Sequence, residues 1–161
     1  MNCPDGMGLQ RTAPRMIGAA MAAAAVFTVT GCETADAATD PLAGTTWQLL
    51  SIESMAPDEE LSVAIDDPAK YTVAFSDDGR GAFRVDCNRG SGTWQATAAA
   101  PDSGALSFGP IALSRMHCPQ PSQENKVTAA LSEVRSYLIT DGRLHLSLAV
   151  DGGIMHWEPA G

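Results

Sequence analysis

Three histidines, four cysteines and ten Lys or Arg among 161 residues leave little material for several kinds of chemistry. Nineteen Asp and Glu outnumber the basic residues, and an acidic surface repels phosphate, so nucleic acid is excluded as a partner. No Gly-x-Ser-x-Gly elbow occurs, which removes one well-defined setting for a nucleophilic serine. Asp66-Asp67 and Asp77-Asp78-Gly79 lack the alternating acceptors and closing Glu of a calcium loop, and they read as turn residues. No solenoid-type repeat is present. The uncharged stretch from Met16 to Gly31 is alanine-rich; its apolar part is roughly 14 residues long, where a membrane-spanning helix needs about 20.

That stretch fits export instead. Arg11 and Arg15 precede it and small residues end it, which is the order of a secretory signal over residues 1–31, with Met7 as sensible a start as Met1. Val29-Thr30-Gly31-Cys32 resembles the lipobox of bacterial lipoproteins, and this implies cleavage before Cys32 and a diacylglycerol on its sulfur. The alternative is an ordinary cut near Gly31 that leaves a free thiol. Two or three acyl chains at ~0.8 kcal/mol per buried methylene anchor stably where one is reversible. Residues 32–40 are short, polar and alanine-rich, a flexible tether. Glu33 rather than Asp follows the cysteine, so a cell with two membranes is expected to hold the anchor in the outer one, facing the periplasm. Cleavage removes Arg11, Arg15 and Asp5, and the more acidic product favours solubility and a basic partner.

With Cys3 gone and Cys32 lipidated, Cys87 and Cys118 remain. Two thiols in an oxidising compartment usually pair, and closing a loop of that length contributes roughly 3–4 kcal/mol through chain entropy. Free thiols, or a metal site of Cys87, His117 and Cys118, are the alternatives. Neighbours on a strand point to opposite faces, which argues against the metal, as does the lack of a fourth ligand at metal-type spacing.

From Trp47 onward apolar and polar residues alternate in short runs between turn signals, as in antiparallel strands. Trp47, Leu49 and Ser51 share one face of a first strand. Residues 56–70 read as a surface loop with a weak strand at Leu61, Val63 and Ile65. Tyr71, Val73 and Phe75 pair through Asp77-Asp78-Gly79 with Phe83, Val85 and Cys87, a hairpin. Asn88 to Gly92 turns the chain again, Trp94 and Ala96 point inward, and Leu106 and Phe108 follow Pro101-Asp102-Ser103-Gly104. The period then changes: Val127, Leu131 and Val134 fall at i, i+4 and i+7, with Ser122 as N-cap and Glu124 in the first turn. Tyr137–Thr140, Leu144–Leu148 and Ile154–Trp157 supply three more strands around Asp141-Gly142 and Asp151-Gly152-Gly153. One amphipathic helix must bury its stripe on the sheet, so the fold class is α+β: a mainly antiparallel curved sheet or open barrel packed on a single helix.

At this point the residues resemble a known family, the META domain or heat-shock-lipoprotein (HslJ-like) type. The resemblance rests on Leu42-Ala-Gly-Thr-Thr-Trp47, Val85-Asp-Cys87-Asn88-Arg-Gly-Ser-Gly92-Thr-Trp94, Leu106-Ser-Phe108-Gly-Pro-Ile-Ala112, Ser114-Arg115-Met-His117-Cys118-Pro119 and Leu144-His-Leu-Ser-Leu148. It covers residues 41–159. Asp86 stands where the family usually has Gly, so an ordinary φ is expected there, and Ser114 stands where Thr is common. The resemblance implies a small β-rich domain with one long helix, a cracked β-barrel similar to that of type III secretion pilotins, and association with envelope stress. Such analogy does not fix function.

Candidate residues each have a structural alternative. Asn88 and Arg115 flank the cysteines and are the candidate ligand residues; Asn88 equally suits a turn, and Arg115 equally suits a pair with Asp86 or strand-end carbonyls. His145 and His156, with Ser114 or Ser147, could be drafted into a catalytic trio, yet no motif fixes the order, and edge-strand histidines are the simpler account. Tyr71, Phe75, Phe83, Trp94, Phe108 and Trp157 are the expected core, with a lipid or peptide groove as the alternative for some. The expectation is a monomeric, non-enzymatic envelope lipoprotein without cofactor or metal, acting through an unidentified envelope protein. The alternative is a pilotin-like carrier of an acyl chain or peptide between sheet and helix.

Overall fold

Alternation at period two becomes ten strands. In the computed structural model, which describes residues 40–55, 62–149 and 152–161, they are β1 Thr46–Glu53, β2 Val63–Ala64, β3 Tyr71–Phe75, β4 Arg80–Val85, β5 Asn88–Ala100, β6 Ser103–Phe108, β7 Ala112–Leu113, β8 Val134–Thr140, β9 Arg143–Leu148 and β10 Ile154–Pro159, with one α-helix among the described residues, α1 at Glu124–Ser132, and a 3-10 turn at Pro68–Lys70. The expected signal, Cys32 and the tether up to residue 39 lie outside the described residues, as do Leu61 and Asp151.

Every pairing is antiparallel. Neighbouring strands run β1-β3-β4-β5-β6-β8-β9-β10, and β10 returns to β1, which closes an eight-stranded barrel. β2 pairs with β1 and β7 with β5, outside that ring. Two seams of the ring are short: β1 meets β3 over three residue pairs, Thr46↔Ala74 to Gln48↔Thr72, and β6 meets β8 over three, Ser103↔Leu138 to Ala105↔Ser136.

The inward faces fill the interior. Trp157, Phe75, Leu49, Val73, Leu144, Leu146 and Met155 are at most 1% exposed. Phe75 meets Trp94 edge-on at 5.3 Å and stacks on Phe108 at 5.9 Å, while Phe83 meets Phe108 edge-on at 5.2 Å, the geometries the ring quadrupoles favour. Five of the six expected core aromatics are buried and Phe108 is half-buried. Leu42, fully buried, closes one end of the barrel, where the Gly44 N–H donates to the Phe75 carbonyl at 2.8 Å. α1 closes the other end with Val127, Ala130 and Leu131. There the Gln123 N–H donates to the Tyr71 hydroxyl at 3.0 Å.

Four local expectations are corrected. The helix is short, nine residues: the Glu133 N–H bonds back to Ala130 at 3.0 Å, and β-branched Val134, expected at i+7 of the helix, opens β8 opposite Leu148. Its burial serves either reading, which is why periodicity alone placed it in the helix. The N-cap position is Gln123, although the Ser122 hydroxyl still accepts from Glu124 N–H at 3.2 Å. Asn88–Gly92 is the first part of β5, the turn falling at Asp86-Cys87. In β1 a register shift between Leu49 and Ser51 turns Ile52 inward, 6% exposed, where Ser51 was expected; a bulge adds a residue and flips the parity.

Candidate functional site

The turn that joins β4 to β5 carries Asp86, Cys87 and Asn88. Asp86 adopts φ 57°, so the residue standing in place of the family's glycine keeps the left-handed conformation, which an Asp tolerates better than most side chains. This overturns the ordinary φ expected from the substitution. Its N–H bonds the Lys70 carbonyl at 2.8 Å, and its carboxylate lies 4.0 Å from the Lys70 ammonium. Lys70, and not Arg115, is therefore the partner of Asp86.

The Cys87 and Cys118 sulfurs are bonded, with Cα atoms 5.6 Å apart. Asn88 is fully buried beside them, and both ends of its carboxamide are used. Oδ1 accepts from the Met116 N–H at 2.8 Å and the Ser114 hydroxyl at 2.9 Å. Nδ2 donates to the Met116 carbonyl at 3.1 Å and to the Cys118 sulfur at 3.3 Å. Ser114 also accepts from Arg89 N–H through its hydroxyl, 3.1 Å, and donates from its own N–H to the Arg89 carbonyl, 2.9 Å. A buried amide with all this capacity satisfied holds a segment in place; it is not free to take a ligand.

What it holds is the strip Ile111–His117. Gly90 and Ser91 pair with Leu113 and Ala112, and a Cβ on Gly90 would lie 2.0 Å from the Ala112 carbonyl oxygen, so only glycine lets the strip approach. In an antiparallel ladder bonded and unbonded residues alternate. Ala112, Ser114 and Met116 turn their polar backbone groups toward β5 and Asn88, and the amides and carbonyls of Leu113 and Arg115 face the other way. That free edge borders a groove of about 940 Å³, with Arg115, Met116 and His117 along one wall and Glu124, Asn125 and Thr128 of α1 along the other. Arg115 and His117 are exposed, and Met116 is 55% exposed. Arg115 makes no ion pair among the described residues. No Asp or Glu occurs between Asp102 and Glu124, so this wall departs from the acidic character of the chain.

The groove and the first described residue lie toward opposite ends of the barrel. β5 begins at Asn88, beneath the strip, and its thirteen residues follow roughly 40 Å of strand path at ~3.3 Å each. It ends by Asp40 and Pro41, which sit beside Ala98–Pro101.

A second cluster lies on the barrel wall, where the sequence suggested separate histidines. His145 on β9 and His156 on β10 are register partners. Their Nδ1 atoms are 2.8 Å apart, and His156 Nε2 is 3.1 Å from the Glu53 carboxylate on β1. Partial burial, then His156 and Arg143, lower the pKa of His145 below its ordinary 6.5, against an opposing effect of Asp141. Neither Ser114, committed to Asn88, nor any other serine hydroxyl bonds either ring among the described residues. No group of three or more His, Cys, Asp or Glu is placed to hold a metal ion among them, and none of the described helices is long and apolar enough to cross a membrane. Sequence reasoning missed the His–His–Glu chain because Glu53 and His156 are brought together only by barrel closure; the matching outward parity of the two histidines was the available signal.

Comparison with known proteins addresses the fold. A protein from Burkholderia xenovorans, solved by NMR, is similar at 21% identity and a TM-score of 0.58, over 77% of this chain and 87% of that one. The crystal structure of a DUF4847 family protein from Bacteroides vulgatus is similar at 17% identity and a TM-score of 0.53, over 74% and 95%. No curated protein matches the chain. The META domain family matches residues 40–158, a span that holds the barrel, the disulfide, Asn88 and the strip, and the chain belongs to that family.

Proposed function

We propose that this META-domain protein is exported, anchored by lipid on Cys32, and works as a non-enzymatic binding protein of the cell envelope, docking a partner protein in the groove between Ile111–His117 and α1. The observation that carries the reading is the free edge of that strip. Among the described residues the amides and carbonyls of Leu113 and Arg115 have no backbone partner and the Arg115 side chain has no ion pair, beside an exposed Met116, and an extended partner segment can add to such an edge through main-chain hydrogen bonds. Asn88 and the disulfide keep the edge in one conformation, which lowers the ordering cost of binding. A tether leaving from Asp40 would put the groove at the far end of the barrel, away from the membrane that holds the lipid. A role in envelope stress or integrity would follow from the partner.

The carrier reading divides. Side chains occupy the barrel interior, which counts against an enclosed acyl chain; the groove between strip and helix suits a peptide. Site-specific photocrosslinking in envelopes tests docking. A crosslinker at Met116 should capture a defined protein that one at exposed Leu138 does not, and Arg115→Glu with Met116→Lys should abolish the adduct. Equal capture from both positions would refute the groove. Cys32→Ser should release the protein from the membrane fraction; retention at wild-type level would refute the anchor.

A further inference from the structure

The His145–His156–Glu53 chain has no part in the groove and lies where β10 closes on β1. Its two imidazoles face each other through Nδ1 at 2.8 Å, with ring centroids 5.0 Å apart and planes at 78°. Three strands contribute. His145 and His156 are paired across β9 and β10, and Glu53 reaches His156 from β1.

We propose that His145 and His156 form a surface chelate for a square-planar or tetragonal divalent transition-metal ion, copper(II) being the best match, with Glu53 as the carboxylate that orients one ligand. The first argument is the placement. Imidazole–metal bonds are ~2.0 Å long, so two nitrogens on one ion sit about 2.8–3.3 Å apart. The register pairing of His145 and His156 holds their Nδ1 atoms 2.8 Å apart in a hydrogen bond, so a small turn of each ring aims both lone pairs at one ion, and copper(II) is the divalent ion that nitrogen–oxygen sites hold most tightly.

The second argument is the tautomer. A proton on His156 Nε2, donated to Glu53, leaves His156 Nδ1 with its lone pair directed at His145, and a carboxylate on the far nitrogen strengthens an imidazole ligand. Without metal, His145 Nδ1–H supplies the bridging proton. On binding, that proton moves to Nε2 of the same ring through solvent, so a neutral His145 becomes a ligand with no change in its charge. Glu53 faces His156 from β1 and supplies the negative charge beside the pair, while Arg143 and Asp141 face His145 with opposite effects, Arg143 the stronger. His156 keeps 22% of its side chain exposed, leaving the outer positions of the ion to water.

The full-length chain in detergent, titrated with copper(II) chloride, should bind one ion per molecule. Its electron paramagnetic resonance spectrum should carry hyperfine structure from two nitrogens. His145→Ala or His156→Ala should weaken binding at least tenfold and remove the two-nitrogen pattern. His117→Ala should leave both unchanged, and zinc(II) chloride should bind at least tenfold more weakly. Glu53→Gln keeps both ligands and should weaken copper roughly tenfold, a readout that stands even where an alanine variant fails to fold. Copper affinity that is unchanged in His145→Ala, His156→Ala and Glu53→Gln overturns the proposal. So does a single-nitrogen spectrum, or a hydrogen-bonded histidine pair that takes up no copper.

Discussion

Asn88 acts as a strand neighbour to Met116, receiving its N–H at 2.8 Å and donating to its carbonyl at 3.1 Å. A side-chain carboxamide thus continues the β5 ladder one residue beyond where backbone pairing stops, and the strip is fastened at 112, 114 and 116 in regular alternation.

Replacing Asn88 by Ala strands the Met116 backbone and removes the Ser114 contact. With about 1–3 kcal/mol for each buried group left unpaired, and some rescue by water at this exposed strip, the loss should be about 2–4 kcal/mol in urea denaturation. Asn88→Asp preserves the shape but turns an acceptor toward the Met116 carbonyl and the Cys118 sulfur. It should destabilise as strongly at neutral pH, and a variant as stable as wild type would contradict the role assigned to Nδ2.

Cys87→Ser with Cys118→Ser opens a loop whose ends are 31 positions apart. The expected loss is roughly 3–4 kcal/mol, seen as a lower denaturation midpoint. Alkylation of the unfolded wild type should find two additional thiols only after reduction.

Gly90→Ala places a methyl against the Ala112 carbonyl. The strip must separate from β5, and amide exchange at Ser114 should accelerate far more than at Leu146 in the barrel wall. Destabilisation of about 1–3 kcal/mol is expected from overpacking.

The lowered pKa of His145 sets a pH dependence. Its folded pKa lies below the 6.5 of an ordinary histidine, so on acidification the unfolded chain takes up the proton first. Stability that His145 contributes is fully present above pH 6.5 and is lost as the pH falls through the lower folded value. Melting temperature should decline over that interval in wild type, and His145→Gln should flatten the slope measured by thermal unfolding.

The barrel wall was legible because alternation is a local property: Tyr71, Val73 and Phe75 against Phe83 and Val85 announce both strands and their turn. Residues whose role depends on distant partners were less legible. Val134 satisfies a helical period and a strand end equally, and only its pairing with Leu148 decides. Asn88, adjacent to a glycine-rich run, carries a turn signature that the strip of residues 112–116 overrides by supplying a partner for the ladder. Arg115 could be singled out by its motif, but that Asp86 faces Lys70 instead is set by the fold. The cross-wall meeting of Glu53 and His156 is set by closure of the ring, and no spacing in the sequence encodes it.

That closure has a kinetic side. β1 pairs with β10 from Trp47↔Pro159 to Glu53↔Ile154, and the Ala160 N–H bonds the Thr46 carbonyl at 3.0 Å. The first strand to leave a ribosome or an export channel must therefore wait for the last, its edge unpaired in the meantime and open to association with other chains. The seam most remote in sequence is the last to form, and it is the one across which Glu53 meets His156.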